Sequence, residues 1–217
     1  MNYEARRQAI LDDMEENSIF ILYSGEALHR NADAYYPFEE NKHFFYLTGL
    51  RRENMALVMK KVDGSCATFL YIERADPNAE RWTGKMVTAE EAKAISGIQD
   101  VRFTERFDAQ MQYLLNGSDI RVCYFDCHRN QLGDLPDYNL AKARKFAADF
   151  PGISIRNLWR MVTKLRMQKD ADEVEKISQA IDVTRQGLEE VLSTLKPGMK
   201  EYQAQANYEH VLYYQGT

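Results

Sequence analysis

The chain has 217 residues, 45% hydrophobic and 28% charged, with a formal net charge of −5 and a mean hydropathy of −0.54. That length allows one domain or a domain and a half, and 10 Phe, 13 Tyr and 2 Trp supply enough apolar bulk for a core, which excludes disorder as the dominant state. No apolar run approaches the roughly 18 residues of a membrane span. The acidic stretch Leu11-Asp12-Asp13-Met14-Glu15-Glu16 interrupts the apolar core a signal peptide needs, and mild acidity is unsuited to displacing counterions from nucleic-acid phosphates. A cytoplasmic protein with no membrane or nucleic-acid partner is expected. Three cysteines, Cys66, Cys123 and Cys127, are few and odd in number, which favours reduced thiols over a disulfide scaffold.

Ala5, Ile10, Leu11 and Met14 approximate a helical period at the start. Ser18 to Ser24 is an apolar run closed by Gly25, the pattern of a strand buried on both faces. A polar loop through Pro37 follows, and then the aromatic run His43-Phe44-Phe45-Tyr46-Leu47-Thr48-Gly49, which reads as a strand ended by glycine. Met55–Lys60 and Ala67–Ile72 flank Asp63-Gly64, a hairpin signal. Thr88 and Glu91 form a capping box for a helix over Ala89–Ser96. Val101–Phe103 is a short strand, and Phe107, Met111, Leu114 and Leu115 make a helical stripe. Ile120–Phe125 is another buried strand, Tyr138–Phe150 is a helix stopped by Pro151-Gly152, and Ile153–Ile155 is a last strand. Gly97 and Gly117 end helices. Alternating strands and helices imply an α/β domain with a mixed β-sheet flanked by helices.

The composition changes after Asn157. Asp170 and Glu173 form a second capping box, opening a long helix with Val174, Ile177, Ile181, Leu188, Val191, Leu192 and Leu195 along one stripe, ended by Pro197-Gly198. Another helix carries Tyr202, Ala206, Val211 and Leu212. Such stripes require a partner surface: either the helices fold back on the sheet or they open a second domain.

Chemistry-bearing motifs are sparse. Cys123-x-x-x-Cys127-His128 has no second ligand pair to make a zinc site, and Cys123 in an apolar strand behaves as a small hydrophobe. His29, His43 and His210 are isolated from one another, and His43 reads as a strand-end residue at the sheet margin. HExxH, Gly-x-Ser-x-Gly, phosphate-binding and dinucleotide-binding motifs are absent. Asp182 and Arg185 are i,i+3 partners on a helix surface. The segment Ile72 to Gly84 leaves a buried strand as a polar loop carrying Trp82, which either covers the core edge or presents an aromatic wall to a ligand or partner.

Asn31-Ala32-Asp33-Ala34-Tyr35-Tyr36-Pro37-Phe38, Phe44-Phe45-Tyr46-Leu47-Thr48-Gly49-Leu50 and Asp76-Pro77…Glu80-Arg81-Trp82-Thr83-Gly84 together resemble the N-terminal domain of Xaa-Pro aminopeptidases (aminopeptidase P). The tail, Leu165 to Asp170 with Glu173, Ile177 and Lys196-Pro197-Gly198-Met199, resembles the linker and first helices of that family's catalytic domain. The resemblance implies two parts: a creatinase-like N-terminal domain over residues 1–157, and the linker and first helices of a truncated pita-bread metallopeptidase domain over residues 158–217. It also implies that the whole enzyme removes the residue preceding proline. Two divalent metal ions, usually manganese, would be held by two Asp, one His and two Glu on strands beyond Thr217, so this chain would hold neither the metals nor catalytic residues. Asp182, in a helical stretch, does not match the family's Asp-x-Thr-Arg strand. The implied roles of this segment are homo-oligomer assembly and closure over a proline-containing peptide, with Trp82 as the substrate- or partner-facing residue. Two competing readings are a non-peptidase peptide-binding or scaffolding module and a cysteine hydrolase using Cys127 and His128.

Overall fold

Strand β1 (Ser18–Tyr23) is apolar at successive positions because both its faces are covered. Ile19 and Ile21 point into one core and Phe20 and Leu22 into the other. On one side β1 pairs antiparallel with β4 (Ala56–Val62), and on the other it pairs parallel with β7 (Val122–Phe125). The computed structural model, which describes residues 2–129 and 131–216, completes a six-stranded sheet in the order β6-β5-β4-β1-β7-β8. Its remaining strands are β5 (Ser65–Ile72), β6 (Val101–Phe103) and β8 (Ser154–Asn157). β4 runs against the other five strands of this sheet. It leads into β5 through a two-residue turn whose Asp63 (φ 50°) and Gly64 (φ 69°) are both left-handed, as the Asp-Gly signal requires.

Helices cover the two faces unequally. Against the first lie α1 (Tyr3–Asp13), α2 (Lys42–Thr48), α4 (Ala89–Ser96) and α7 (Trp159–Met167), through Ile10, Phe44, Leu47, Ala92 and Val162. Against the second lie α5 (Phe107–Asn116) and α6 (Tyr138–Asp149), through Met111, Leu115 and Ala143. The capping box at Thr88 forms as read: its hydroxyl accepts the Glu91 N–H, and the Glu91 carboxylate accepts the Thr88 N–H.

Three local readings are corrected. The aromatic run after His43 is α2, not a strand. The Asn41 side chain accepts from the His43 and Phe44 N–H groups, and Gly49 at φ 75° closes the last turn, so seven residues bracketed by two caps form a helix despite their β-favouring composition. The loop before Pro37 holds a small ribbon of β2 (His29–Asn31) and β3 (Ala34–Tyr35). The supposed loop at Trp82 is α3 (Pro77–Thr83), started by Asp76, whose side chain accepts from Asn78 N–H, with Pro77 at the first helical position.

Two arginines of α1 are buried against α2. The Arg7 guanidinium donates to the Leu47 carbonyl at 2.8 Å and that of Arg6 to the Tyr46 carbonyl at 3.2 Å, with Arg6 also 4.0 Å from the centre of the Tyr46 ring. Cations here complement the negative end of α2 and satisfy carbonyls its last turn leaves open. Burial lowers the Arg7 pKa, against a smaller opposing effect of Glu4.

Residues 2–166 form one compact unit, and the helices α8 (Ala171–Thr194) and α9 (Glu201–Tyr214) belong to another. The Asp170–Glu173 capping box opens α8 with reciprocal bonds of 2.8 and 3.0 Å. Within this hairpin Gly187 admits the Tyr208 ring, which a Cβ would meet at 2.7 Å, and Asn207 donates to the Thr194 hydroxyl. Asp182 pairs with Arg185 on the α8 surface, Nε to Oδ1, at 3.7 Å. Val174, Ile177, Ile181, Leu188, Leu192 and Leu195 are exposed. Covering such side chains is worth about 1.5–3 kcal/mol each, so the chain is expected to self-associate through this stripe. Sedimentation should show a concentration-dependent dimer that disappears when the chain is ended at Arg166; a monomer at high concentration would refute it.

Candidate functional site

Five strands of the sheet point the same way, so the segments leaving their carboxyl ends gather at one edge. They begin at Ser24 after β1, Glu73 after β5, Thr104 after β6, Asp126 after β7 and Leu158 after β8. The edge contains a buried polar network, an open crevice and an exposed tryptophan.

The network centres on Asp126, 5% exposed. Its Oδ2 accepts from Asn41 Nδ2 at 3.0 Å and lies 3.2 Å from His43 Nδ1, and its Oδ1 accepts from the His128 N–H at 3.5 Å. Burial alone would raise the Asp126 pKa; bonds from His43 and Asn41 outweigh it and hold the carboxyl below the usual range. His43 is thus a buried partner of Asp126 in α2, which corrects its reading as a strand-end residue at the margin. Beside it the His128 ring stacks on Trp159 at 4.2 Å. The Cys127 thiol is pushed up to about 11, by burial first and then by the carboxylates of Asp126 and Asp137, so it is protonated and a poor nucleophile at neutral pH. This opposes the cysteine-hydrolase reading. Cys123 is wholly buried in β7, as its apolar surroundings suggested, and burial raises its pKa. His29 and His210 are exposed, His29 beside Tyr35 and His210 beside Tyr214.

The crevice, about 460 Å³, lies beyond the ends of β5 and β6. Met55, Met86 and Val87 give it an apolar wall, Glu73, Arg74, Thr104 and Glu105 come from the strand ends, and Arg52 and Asn54 precede β4. Asp76, Ala79 and Thr83 present one face of α3 to it. Trp82 is not among these lining residues and is 90% exposed, which overturns core cover as its role. Leu28, Tyr35, Tyr36, Leu132 and Leu135 are also exposed on segments that leave the same edge. Sequence reasoning missed Asn41, Glu73 and Asp126. An Asn two residues before an aromatic run was a usable capping signal for the first; the other two become notable only when distant segments meet.

Residues 3–124 match the model of the aminopeptidase P N-terminal domain, more than half of the chain. The chain belongs to this family. Among curated relatives, the Xaa-Pro aminopeptidase of Haemophilus influenzae is 26% identical over 209 residues, covering 96% of this chain and 46% of the relative. That of Escherichia coli is 26% identical over 216 residues, covering 96% and 48%. Among solved structures, a Bacillus anthracis protein assigned as an aminopeptidase P superposes with a TM-score of 0.92 at 33% identity, covering 99% of this chain and 51% of that one. Proline aminopeptidase P II from Yersinia pestis gives 0.83 at 25% identity, covering 99% and 50%. The chain therefore spans about half the length of the aminopeptidase P relatives it matches. Among the described residues, no group of three or more His, Cys, Asp or Glu side chains is arranged to hold a metal ion. No described helix is long and apolar enough to cross a membrane.

Proposed function

We propose that this chain is the N-terminal, non-catalytic portion of a metal-dependent Xaa-Pro aminopeptidase, and that it serves assembly and closure of the substrate cleft. Residues 158–217 are on this reading the linker and first helices of the peptidase domain, and the divalent metals, manganese by family resemblance, are held by residues outside this chain. The segment's own contribution is then steric and apolar: it presents Trp82 and the carboxyl-edge rim to a proline-containing peptide or to a neighbouring subunit in a homo-oligomer. A cytoplasmic site of action accompanies this reading.

The observation that carries it is Trp82, held 90% exposed on a capped helix within a segment that matches the family. A wholly wet indole contributes little to folding, and a flat apolar ring packs well against a proline ring. Trp82→Ala is expected to change the stability of this chain by no more than about 0.5 kcal/mol. In the complete enzyme it should lower kcat/KM for Xaa-Pro peptides at least tenfold. Stability measured on the chain and kinetics on the enzyme separate the possibilities; unchanged kcat/KM would remove Trp82 from the function.

A further inference from the structure

The crevice at the ends of β5 and β6 has an origin in chain topology. After β5 the chain turns to α4 on the first face of the sheet, and after β6 it turns to α5 on the second. Neighbouring strands whose connections diverge leave a gap outside their carboxyl ends, the position where open α/β sheets take small ligands. Here the gap is lined by Glu73 and Arg74 from the first strand and Thr104 and Glu105 from the second.

Most charges around it are committed elsewhere. Arg74 pairs with Glu105 at 3.3 Å and lies over the Phe103 ring, Glu53 accepts from the Ala27 N–H, and Asp76 caps α3. Glu73 is different. It is half-buried, its Oε1 accepts one bond from Asn54 Nδ2 at 3.2 Å, and no other described group bonds to it. Asn54 sits in left-handed backbone at φ 58°, with its N–H bonded to the Gly25 carbonyl. Glu73 also lines an adjoining lobe of about 290 Å³ that includes Tyr23, Phe107 and Tyr138, so it belongs to the walls of both hollows. At the rim of the larger hollow Arg52 donates to the Lys85 carbonyl through one nitrogen, leaving its other donors for a ligand. A carboxylate, an exposed guanidinium and a wall of Met55, Met86 and Val87 complement an ammonium, a carboxylate and an aliphatic side chain.

We propose that this crevice is a binding site for a zwitterionic amino acid or short peptide, its ammonium on Glu73, its carboxylate toward Arg52 and its aliphatic side chain on the methionine wall. The site requires neither metal nor peptide cleavage, so its test is independent of the peptidase reading. Titration calorimetry of the intact chain with L-leucine should give saturable one-to-one binding. 4-Methylpentanoate, which lacks the amine, and 3-methylbutylamine, which lacks the carboxylate, should each bind at least tenfold more weakly. Glu73→Gln should weaken L-leucine at least tenfold with an unchanged circular dichroism spectrum, and Arg52→Gln should weaken it severalfold. In the unsubstituted chain, the Asn54 side-chain amide resonances should shift on adding L-leucine, a readout that does not depend on any variant folding. No saturable binding up to the solubility limit, undiminished binding by Glu73→Gln, equal binding of the amine alone, or an unmoved Asn54 amide would each overturn the proposal.

Discussion

Replacing Asp126 by alanine is expected to destabilise the N-terminal unit by about 3 kcal/mol, since hydrogen bonds to a buried charge contribute about 1.5–3 kcal/mol and the substitution also leaves other buried groups unpaired. At about 2–4 °C per kcal/mol for a chain of this size, Tm should fall by roughly 6–12 °C. The groups stranded are the Asn41 amide and the His43 ring, each within 3.2 Å of Asp126 Oδ2. The same carboxylate predicts a pH dependence. Its folded pKa lies below its ordinary value, despite burial, because His43 and Asn41 stabilise the charged form. Its stabilising effect is therefore complete above the unfolded value of about 3.9 and is lost as the pH falls through the lower folded value. Denaturant titrations between neutral pH and pH 3 should show a shallower acid loss in Asp126→Asn than in the unsubstituted chain. Equal acid limbs would show that the network contributes nothing at that edge.

Arg7→Ala should also be costly, by about 3 kcal/mol, because it removes the donor to a buried helix-end carbonyl and the packed stem that carries it. The bond lost is the 2.8 Å contact with the Leu47 carbonyl. Arg7→Met separates the two contributions: it restores much of the packing but not the donor, so its cost should be about 1–3 kcal/mol. If Arg7→Met matches the unsubstituted chain in chemical denaturation, the guanidinium is filling space and not holding α2.

These sites also show what was legible in the sequence. β1, the Asp-Gly hairpin and both capping boxes were readable because their signals are local: an apolar run, two residues able to take positive φ, and an oxygen three residues before an N–H. The helix after Asn41 was not, since its aromatics favour strands and its identity depends on the caps at either end. Nothing local marks Arg6 and Arg7 as buried, since charged residues normally face solvent, and it is the approach of α1 to the end of α2 that gives them the Tyr46 and Leu47 carbonyls. The Asp126 network joins residues more than eighty positions apart in the chain. For Trp82, sequence left two roles open until α3 formed. Helical spacing turns Asp76, Ala79 and Thr83 to the crevice and leaves the indole outside.

The three cysteines form a built-in set of clocks. Cys66 lies exposed at the start of β5, Cys127 is partly covered at the carboxyl edge, and Cys123 is sealed within β7 between the central strand and β8. A thiol-specific reagent can reach Cys66 in the native protein, while Cys123 must await an opening that detaches part of the sheet. Labelling kinetics should therefore resolve into a prompt phase and a slow one. When the reagent is concentrated enough for labelling to outpace reclosing, the slow rate measures how often the β7 region comes apart, giving a readout of local opening that requires no introduced probe.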